Sequence, residues 1–378
     1  MALSTKTRTS YSQTTTPSIW SPDLTITDML PVVESALCIV NQPSGSGRTQ
    51  ADIKYLQQLF NEKFETVPRR IFTVTNTHEI VVQRTRQFLA SHPGPYLLLS
   101  GGGGGTNRAV VQGLLEMVEA GSVDLNQVRV STLRLGSGNL LPRQFDLPKN
   151  PEAALQAIAD DMLNNRQILG TVYKCTCYYP DLSTQHFHGL TMGGLGQFAR
   201  VPNDISHWRE RHSQLMKKTV GHISIEHINT FQYIAFSIAR ALRCLRYPSI
   251  AERVEVSHRR RSRQFRLFSG LLINFDFPQL PFQTGCTVSE PRLTLCLIPL
   301  QGRRQTISAL LSWPNLNDHI YRYEITPDQP LEISFLDRSE TTLAIDEDTF
   351  VVPNRIKFEV ATQINLVTGS TAMDIEHS

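Results

Sequence analysis

The sequence has no apolar run long enough to cross a membrane, because such a helix needs about 20 residues with few charges. The best candidate, Tyr233 to Leu245, is interrupted by Arg240 and Arg243, so we expect no membrane-spanning helix. The chain also lacks a strong charge of either sign, with a net charge of +3 over 378 residues. This balance gives no support for a nucleic-acid-binding protein, and any basic surface must be local.

Cysteine is scarce, and the six cysteines are scattered along the chain. The chain does not open with a charged segment followed by an apolar run, so we expect a reduced, cytoplasmic protein. Cys175 and Cys177, together with His186 and His188, could hold zinc if facing strands brought the two pairs together. Each pair is separated by one residue, whereas structural zinc sites use a spacing of about two to four, so ordinary strand positions are favoured.

The first 28 residues are rich in Ser, Thr and Pro and have few large apolar side chains. Such a segment cannot bury enough apolar surface to offset the entropy lost on ordering, so we interpret residues 1–28 as a mobile tail. A targeting peptide is the alternative, because the segment begins with basic residues, but no amphipathic Arg-rich helix is visible.

From residue 36 onward, short apolar runs alternate with segments of helical period. Ala36 to Val40 is followed by a Gly-rich turn and then by Ala51 to Phe64, in which apolar residues recur at helical spacing. The same unit recurs as far as Arg134. This alternation indicates an open parallel sheet with right-handed crossovers.

After about Leu169 the pattern changes to β-rich runs, which indicates a second, mostly antiparallel domain. Two helical pieces interrupt it, Ile205 to Met216 and a longer one from about Thr230 to Leu245. The longer helix carries one apolar stripe that includes Ile238 and Leu242, and we interpret this stripe as core.

A run of five glycines, Gly101 to Gly105, lies between Ser100 and Thr106. It directly follows an apolar strand and precedes a helix that Thr106 or Asn107 could cap. Consecutive glycines let backbone N–H groups approach a phosphate, and the helix N-terminus adds its positive end. We interpret the run as a phosphate-binding loop, with a tight structural turn as the alternative. The chain has no Gly-Lys pair, which excludes the P-loop motif.

Four motifs, taken in this order and near these spacings, resemble the signature of the diacylglycerol kinase and sphingosine kinase superfamily. That signature is N-P-x-S-G, F-T-x4-H-A, G-G-D-G-T and P-L-G-T-x-N-D-x-x-R. The corresponding segments are Asn41-Gln-Pro-Ser-Gly-Ser-Gly-Arg48, Phe72-Thr73 with His78, Gly102-Gly-Gly-Gly-Thr106, and Leu135-Gly-Ser-Gly-Asn139 with Arg143. No single motif is specific, but the ordered set is, and the resemblance covers roughly residues 36–360.

The resemblance implies a fold of class α/β plus all-β. We expect a parallel α/β nucleotide-binding domain at 29–165, an antiparallel β-sandwich at 166–362 with a helical insertion at about 205–247, and a C-terminal tail at 363–378. ATP would bind between the domains and transfer a phosphoryl group to the hydroxyl of a diacylglycerol- or sphingoid-type lipid. Carried over by position, the nucleotide contacts would be Asn41, Ser44, Gly45, Thr73, Gly101, Gly102, Gly103, Gly104, Gly105, Thr106, Asn107 and Ser137.

Acidic residues test this resemblance, because phosphoryl transfer needs Mg²⁺ and usually a carboxylate that accepts or orients the hydroxyl proton. The Asp of G-G-D-G-T is replaced by Gly104, and the Asp after the Asn of the fourth motif by Leu140. The D-G-x-L-D segment of a structural Mg²⁺ site falls on Glu290-Pro-Arg-Leu-Thr294, where only the first acid is kept as a metal ligand. The D-G-E motif, whose Glu is the proposed proton acceptor, falls on Asp346-Glu347-Asp348, with Asp348 as candidate base.

These replacements leave three functions open. The first is an ATP-dependent lipid kinase, and the second is a catalytically inactive homologue that binds nucleotide or lipid. The third is a kinase of a soluble dinucleotide, as in NAD kinases, which share the G-G-D-G-T loop. The β-rich second half and the Ser-Gly-Ser-Gly turn favour the lipid branch over this third function.

One dense basic run, from His258 to Arg266, could contact other molecules. It could be a solvated loop, or its Arg259, Arg260, Arg261 and Arg263 could contact anionic lipid head groups at about 1 kcal/mol per basic residue. The protein would then be peripheral at a membrane. No interleaved aromatic residues support stacking with nucleic acid. The sequence leaves a homodimer open.

Overall fold

The computed structural model describes most of the chain between residues 32 and 370. The described ranges are 32–44, 48–136, 138–211, 235–240, 242–243, 246–247, 251–277, 283–300, 302, 304 and 319–370. The predicted N-terminal tail and two predicted nucleotide contacts, Gly45 and Ser137, lie outside these ranges.

Strands and helices alternate in the N-terminal half, as the sequence pattern predicts. The elements are β1 Ser35–Asn41, α1 Gln50–Lys63, β2 Arg69–Thr75, α2 His78–Ser91, β3 Tyr96–Gly102, α3 Gly104–Glu119, β4 Val128–Arg134, α4 Leu140–Gln144 and α5 Pro151–Leu163. The four strands are parallel, in the order β4-β3-β1-β2. Helices cover both faces, because parallel crossovers place them there. One hydrophobic core lies under α2 and α3, and another under α1 and α5.

Local sequence signals fix where these helices begin. Thr49 caps α1 by accepting a hydrogen bond from the Asp52 amide, and the Asp52 carboxylate accepts one from the Thr49 amide at 2.9 Å. Thr77 caps α2, and Asn150 caps α5 directly before a proline at the first helical position. Each cap satisfies amide groups that a helix leaves without an intrahelical partner.

The C-terminal half consists mainly of antiparallel strands, which confirms the predicted fold class. The elements are β5 Ile168–Tyr178, β6 Thr184–Gly189, β7 Met192–Gly196, α6 Val201–Arg211, β8 Glu252–His258, β9 Arg261–Ile273, β10 Leu293–Pro299, β11 Tyr321–Ile325, β12 Leu331–Phe335, β13 Glu340–Ile345, β14 Asp348–Pro353 and β15 Arg355–Leu366. They enclose a third hydrophobic core. Within the described part of the chain, no helix is long and apolar enough to span a bilayer.

The antiparallel strands continue the parallel sheet instead of forming a separate one. The hydrogen-bonded path runs β14-β13-β7-β9-β8-β12-β15-β4-β3-β1-β2. Strand β15 pairs antiparallel with β5 along its length, and its last residues, Asn365 and Leu366, pair parallel with β4. Ser131 Oγ on β4 also donates to the Val367 carbonyl at 2.7 Å. The segment predicted as a C-terminal tail from residue 363 is therefore partly strand.

The helical insertion differs from the prediction in its packing. Helix α6 begins at Val201, four residues before the predicted start, and residues 212–234 lie outside the described ranges. Residues 235–240 and 242–243 are helical, but Ile238 and Leu242, interpreted as core, are 48% and 57% exposed. The helix is held at this point by a polar contact, since Arg240 Nη2 donates to Asp204 Oδ1 at 2.8 Å. The apolar stripe is therefore not buried at these two positions.

The β13–β14 hairpin turns through two residues, Asp346 and Glu347, which both have positive φ, 47° and 79°. The Asp346 side chain is buried and anchors the turn to the segment before β7. It accepts hydrogen bonds from the Leu190 amide at 2.7 Å, the Thr191 amide at 2.8 Å and the Met192 amide at 3.1 Å. Burial raises the pKa of Asp346, and these hydrogen bonds oppose the shift. The carboxyl group thus fixes where the hairpin lies.

We expect Asp346→Ala to lower the free energy of unfolding by about 3 kcal/mol, because buried amides that lose their acceptor cost about 1–3 kcal/mol each. Urea denaturation monitored by circular dichroism measures this loss. Asp328→Ala is the control, because Asp328 lies in an exposed turn and accepts from Thr326; its loss should stay below about 1 kcal/mol. Equal losses in the two variants would contradict an anchoring role for Asp346.

Candidate functional site

The candidate site is a crevice at the carboxyl ends of the parallel strands. Strands β2 and β3 lie on opposite sides of β1, so the loops that follow β1 and β3 diverge at this point of the sheet. Such topological switch points are where open α/β sheets bind ligands. The four predicted motifs lie at or near the carboxyl ends of the strands β1 to β4 in turn, so the sheet brings them to one edge.

The glycine run forms a tight turn from β3 into α3. Gly101 and Gly102 end the strand, Gly103 is the N-cap, and α3 begins at Gly104. The helix thus begins earlier than Thr106 or Asn107, the predicted caps. Because the first amides of a helix have no intrahelical partner, this turn directs N–H groups toward the crevice.

Thr106 and Asn107 tie α3 to the sheet and are both buried. Thr106 Oγ1 accepts a hydrogen bond from Asn41 Nδ2 at 3.3 Å. Asn107 Oδ1 accepts from Thr132 Oγ1 at 2.8 Å and also from the Ser100 hydroxyl. The side-chain oxygen of Asn107 is therefore engaged in fixing the helix. The predicted contact of Asn107 with nucleotide would have to come from its other polar groups.

Two buried oxygen atoms at the carboxyl ends of β1 and β2 have no hydrogen-bond partner in the described part of the chain. They are Asn41 Oδ1 and Thr75 Oγ1, and their residues are neighbours across β1 and β2. A buried polar atom without a partner is costly, so both are candidates for ligand contact. Thr73, which the resemblance singled out, lies two residues before this strand end, and Thr75 was missed. The position of Thr75 at the end of β2 was the available signal.

The loop after β1 is held against the loop after β4 by Arg48. Its Nη1 donates to the Ser44 carbonyl at 3.0 Å, and its Nη2 donates to the Leu135 carbonyl at 2.7 Å. Burial lowers the pKa of Arg48, and the charge of Asp52 opposes this shift. This contact fixes the backbone of Ser44 in the loop after β1, and its contact with nucleotide stays a prediction.

Asp348, the candidate base, lies directly against the glycine run. A Cβ atom on Gly105 would lie 2.5 Å from Asp348 Oδ1. The carboxylate is mostly buried and has two partners, since Arg108 Nε donates to Oδ2 at 2.7 Å and His78 Nδ1 lies 3.1 Å from Oδ1. Burial alone would raise the pKa of Asp348, but the His78 hydrogen bond and the Arg108 charge lower it below its ordinary value.

Arg108 connects the two halves of the molecule at this site. Its side chain is 8% exposed, and its guanidinium lies 5.1 Å from the centre of the Phe350 ring. Sequence reasoning missed Arg108 as a site residue, because its partner is 240 positions away. The family motif drew attention to His78 but not to its contact with Asp348.

Gly104, the position where the superfamily pattern has Asp, lies under the β13–β14 hairpin. A Cβ atom there would lie 2.6 Å from the Asp346 carbonyl oxygen. Real Cβ atoms do not come so close to a backbone oxygen. Residue 104 must therefore be glycine for the hairpin to lie where it does. An aspartate at position 104 would collide with the hairpin as it lies here. The loss of the acid and the close approach of the hairpin therefore go together.

Glu290, the predicted metal ligand, forms an ion pair instead of joining other acids. Arg292 Nη2 donates to Glu290 Oε2 at 2.7 Å, and Arg292 Nη1 donates to Glu324 at 3.2 Å. In the described ranges, no three His, Cys, Asp or Glu side chains come together to hold a metal ion. The described residues therefore do not fit a preformed Mg²⁺ site, and Glu290 as a ligand stays a prediction.

The cysteine and histidine pairs lie on opposite faces of the β5–β6 ladder. Cys175 pairs with Phe187, whereas His186 pairs with Thr176, and alternate residues of a strand face opposite sides. Cys177 is buried, and burial raises the pKa of its thiol to about 12. These are ordinary strand positions, and the alternative of a zinc site is contradicted.

The basic run forms the tip of the β8–β9 hairpin. Arg259 and Arg260 make the turn with φ of 51° and 61°, and they are exposed together with Arg261 and Arg263. Arg263 stacks on the Tyr321 ring at 3.9 Å. The basic residues are thus brought to one exposed end of the β domain.

Comparison with known proteins confirms the resemblance that the motifs predicted. Residues 35–169 match the model of the diacylglycerol kinase catalytic domain. Two solved structures from Bacillus anthracis strain Sterne, a diacylglycerol kinase and a candidate diacylglycerol kinase, share the fold with TM-scores of 0.55 and 0.58. Their sequence identities are 13% and 15%, and the alignments cover 89% of this chain and 97% and 98% of theirs. No curated protein matches the chain.

We expect Asp348→Asn to lower the free energy of unfolding by about 3 kcal/mol at pH 7, because Arg108 would keep a buried charge without a partner. Since the folded pKa of Asp348 is lowered, its contribution is present above the ordinary Asp pKa of about 3.9 and is lost as the pH falls through the folded value. Urea titrations at pH 7 and pH 3 measure both effects.

The matched control is Glu332→Gln, which removes the charge from a surface pair with Arg355. Its effect should stay below about 1 kcal/mol at pH 7, because exposed ion pairs contribute little. A destabilisation by Asp348→Asn that persists unchanged at pH 3 would show that the loss does not come from the ion pair.

Proposed function

We propose that this chain is a lipid kinase-like protein that binds ATP in the crevice and transfers its terminal phosphoryl group to the hydroxyl of a diacylglycerol- or sphingoid-type lipid. One observation carries the proposal. The four motifs lie at the carboxyl ends of the parallel strands, and Asp348 on the β13–β14 hairpin lies against the glycine run. A glycine-rich turn at a helix N-terminus and a carboxylate are therefore side by side, which supports the proposal.

The glycine run would hold phosphate through backbone amides and the positive end of α3. Gly103 is the N-cap of α3, and a Cβ built on it would lie 3.3 Å from Glu347 Oε2 and 3.8 Å from the Cα atom of Gly136. Asn41 and Thr75, with their buried oxygen atoms lacking partners, would bind polar groups of the nucleotide beside the phosphates. The superfamily likeness of residues 35–169 supports this assignment.

Asp348 would orient the acceptor hydroxyl and attract its proton. The Arg108 and His78 contacts keep the carboxylate ionised, which is the form that a proton acceptor needs. The same contacts reduce its basicity, because a lowered pKa means weaker proton affinity. We therefore expect slow turnover.

A catalytically inactive nucleotide- or lipid-binding protein is the second candidate. Two observations favour it, the replacement of the loop acid by Gly104 and the engagement of both Asp348 oxygens by Arg108 and His78. The two candidates share the crevice and differ only in chemistry.

The test is transfer of labelled phosphate from ATP to extracted lipid, together with thermal stabilisation by ATP. Gly103→Ala should weaken ATP binding, since a methyl group fills the cradle, whereas its extended backbone accepts alanine without strain. Asp348→Ala should reduce transfer by about 10²- to 10⁴-fold if the carboxylate accepts the proton. Asp181→Ala, in the exposed turn after β5, is the control and should transfer at the wild-type rate.

ATP-dependent stabilisation without transfer to diacylglycerol, sphingoid bases or other long-chain alcohols would favour the inactive candidate. Absence of both stabilisation and transfer would contradict the proposed function.

We also propose that the β8–β9 hairpin tip docks on anionic lipid, where a lipid substrate is found. Four arginines, Arg259, Arg260, Arg261 and Arg263, are exposed at one end of the domain. Glu324 lies 3.6 Å from Arg259, so part of the charge is locally balanced. The remaining three would contribute about 1 kcal/mol each near an anionic bilayer.

Replacement of Arg260 and Arg261 by Ser should weaken cosedimentation with phosphatidylserine-containing vesicles by about tenfold or more, because two such charges contribute about 2 kcal/mol. Binding should also fall with rising salt concentration. Arg69→Ser and Arg84→Ser on the α/β domain form a control that removes equal charge elsewhere. Equal losses in the two double variants would rule out the hairpin as the docking surface.

A further inference from the structure

The side chain of Glu347 lies against glycines of two loops, the glycine run and the loop after β4. A Cβ atom on Gly103 would lie 3.3 Å from Glu347 Oε2, and one on Gly104 would lie 3.5 Å from Glu347 Cγ. A Cβ atom on Gly138, in the loop after β4, would overlap Glu347 Oε1. The carboxylate of Glu347 therefore lies between the glycine run and the loop after β4, at positions where both loops have glycine and so no side chain.

The two loops themselves are in backbone contact beside this carboxylate. A Cβ atom on Gly136 would lie 2.7 Å from both the Gly102 oxygen and the Gly103 nitrogen. The space between the loops is therefore narrow. A negatively charged group placed there lies beside Gly103, the N-cap of α3, and the positive end of a helix favours a phosphate.

Glu347 holds this position at a cost in backbone conformation. Its φ of 79° follows a φ of 47° at Asp346, and two-residue hairpins with two positive φ angles favour Asn-Gly or Asp-Gly. Glu347 stands where the second residue of such a turn is usually glycine. A residue other than glycine in this conformation is strained, and strained residues persist where the surrounding structure or a function requires them.

We propose that Glu347 sets the nucleotide affinity of the crevice by occupying the position that a phosphate of the nucleotide would take. This inference rests on the proposed nucleotide-binding function. The carboxylate and a phosphate are both negatively charged and cannot occupy one position together. A phosphate therefore enters only when the Glu347 side chain rotates away. Glu347 is thus a specificity-determining residue that disfavours phosphate-bearing ligands.

Replacing the residue with the glycine that its turn favours tests the inference. Glu347→Gly removes the carboxylate and the backbone strain together, so ATP should bind about tenfold tighter or better by calorimetry, which corresponds to ~1.4 kcal/mol. Glu347→Gln keeps the bulk and the strained backbone but removes the charge, so its gain in affinity should be smaller. Chemical denaturation should show that Glu347→Gly is at least as stable as the wild type.

Leu182→Gly is the matched control for relief of strain. Leu182 has a φ of 68°, is 92% exposed and lies in the β5–β6 hairpin, away from the crevice. This variant should bind ATP as the wild type does. A gain equal to that of Glu347→Gly would show that backbone strain, and not the carboxylate, limits binding.

The outcomes separate this inference from the proposed function. Equal ATP affinity of the wild type and Glu347→Gly, or weaker binding by the variant, overturns the role of Glu347 and leaves nucleotide binding intact. Weaker binding would identify Glu347 as a group that assists the nucleotide. Absence of ATP binding by both proteins overturns the proposed function and this inference together.

Discussion

The close approach of the β13–β14 hairpin to the glycine run is the contact on which the site depends. Gly104 lies beneath the Asp346 carbonyl oxygen at a distance that excludes any side chain. The buried Asp346 carboxyl group holds the hairpin in place through backbone amides of residues 190–192. Because two backbones meet here, the turn places the side chains of Glu347 and Asp348 in the crevice.

The approach of the hairpin to the glycine run also sets which charged groups lie in the crevice. The hairpin brings two carboxylates to a surface formed by amide groups and a helix N-terminus, which are positive. Asp348 pairs with Arg108 and His78, and Glu347 lies between the glycine run and the loop after β4. The superfamily pattern places its acid on the glycine loop, and this chain places one on the facing turn.

Continuity of the sheet explains how residues far apart in sequence meet with defined geometry. Strand β15 pairs with β5 and β12 in the antiparallel part and with β4 in the parallel part. The Arg108–Asp348 pair, the Ser131–Val367 hydrogen bond and the Asp346 anchor join segments more than 150 residues apart. Such non-local contacts make the crevice a property of the whole chain.

The sequence by itself determined the alternation of strands and helices, the antiparallel second half and the positions of the motif loops. These depend on local periodicity, turn chemistry and capping, which act within a few residues. Only the tertiary structure decided that Thr75 lies beside Asn41, that Arg108 and His78 engage Asp348, and that Ile238 is exposed. It also decided that Glu347 lies between the glycine run and the loop after β4. Strand register and the packing of the hairpin set the contacts among these residues. The partners are far apart in sequence, so no local sequence pattern predicts that they meet.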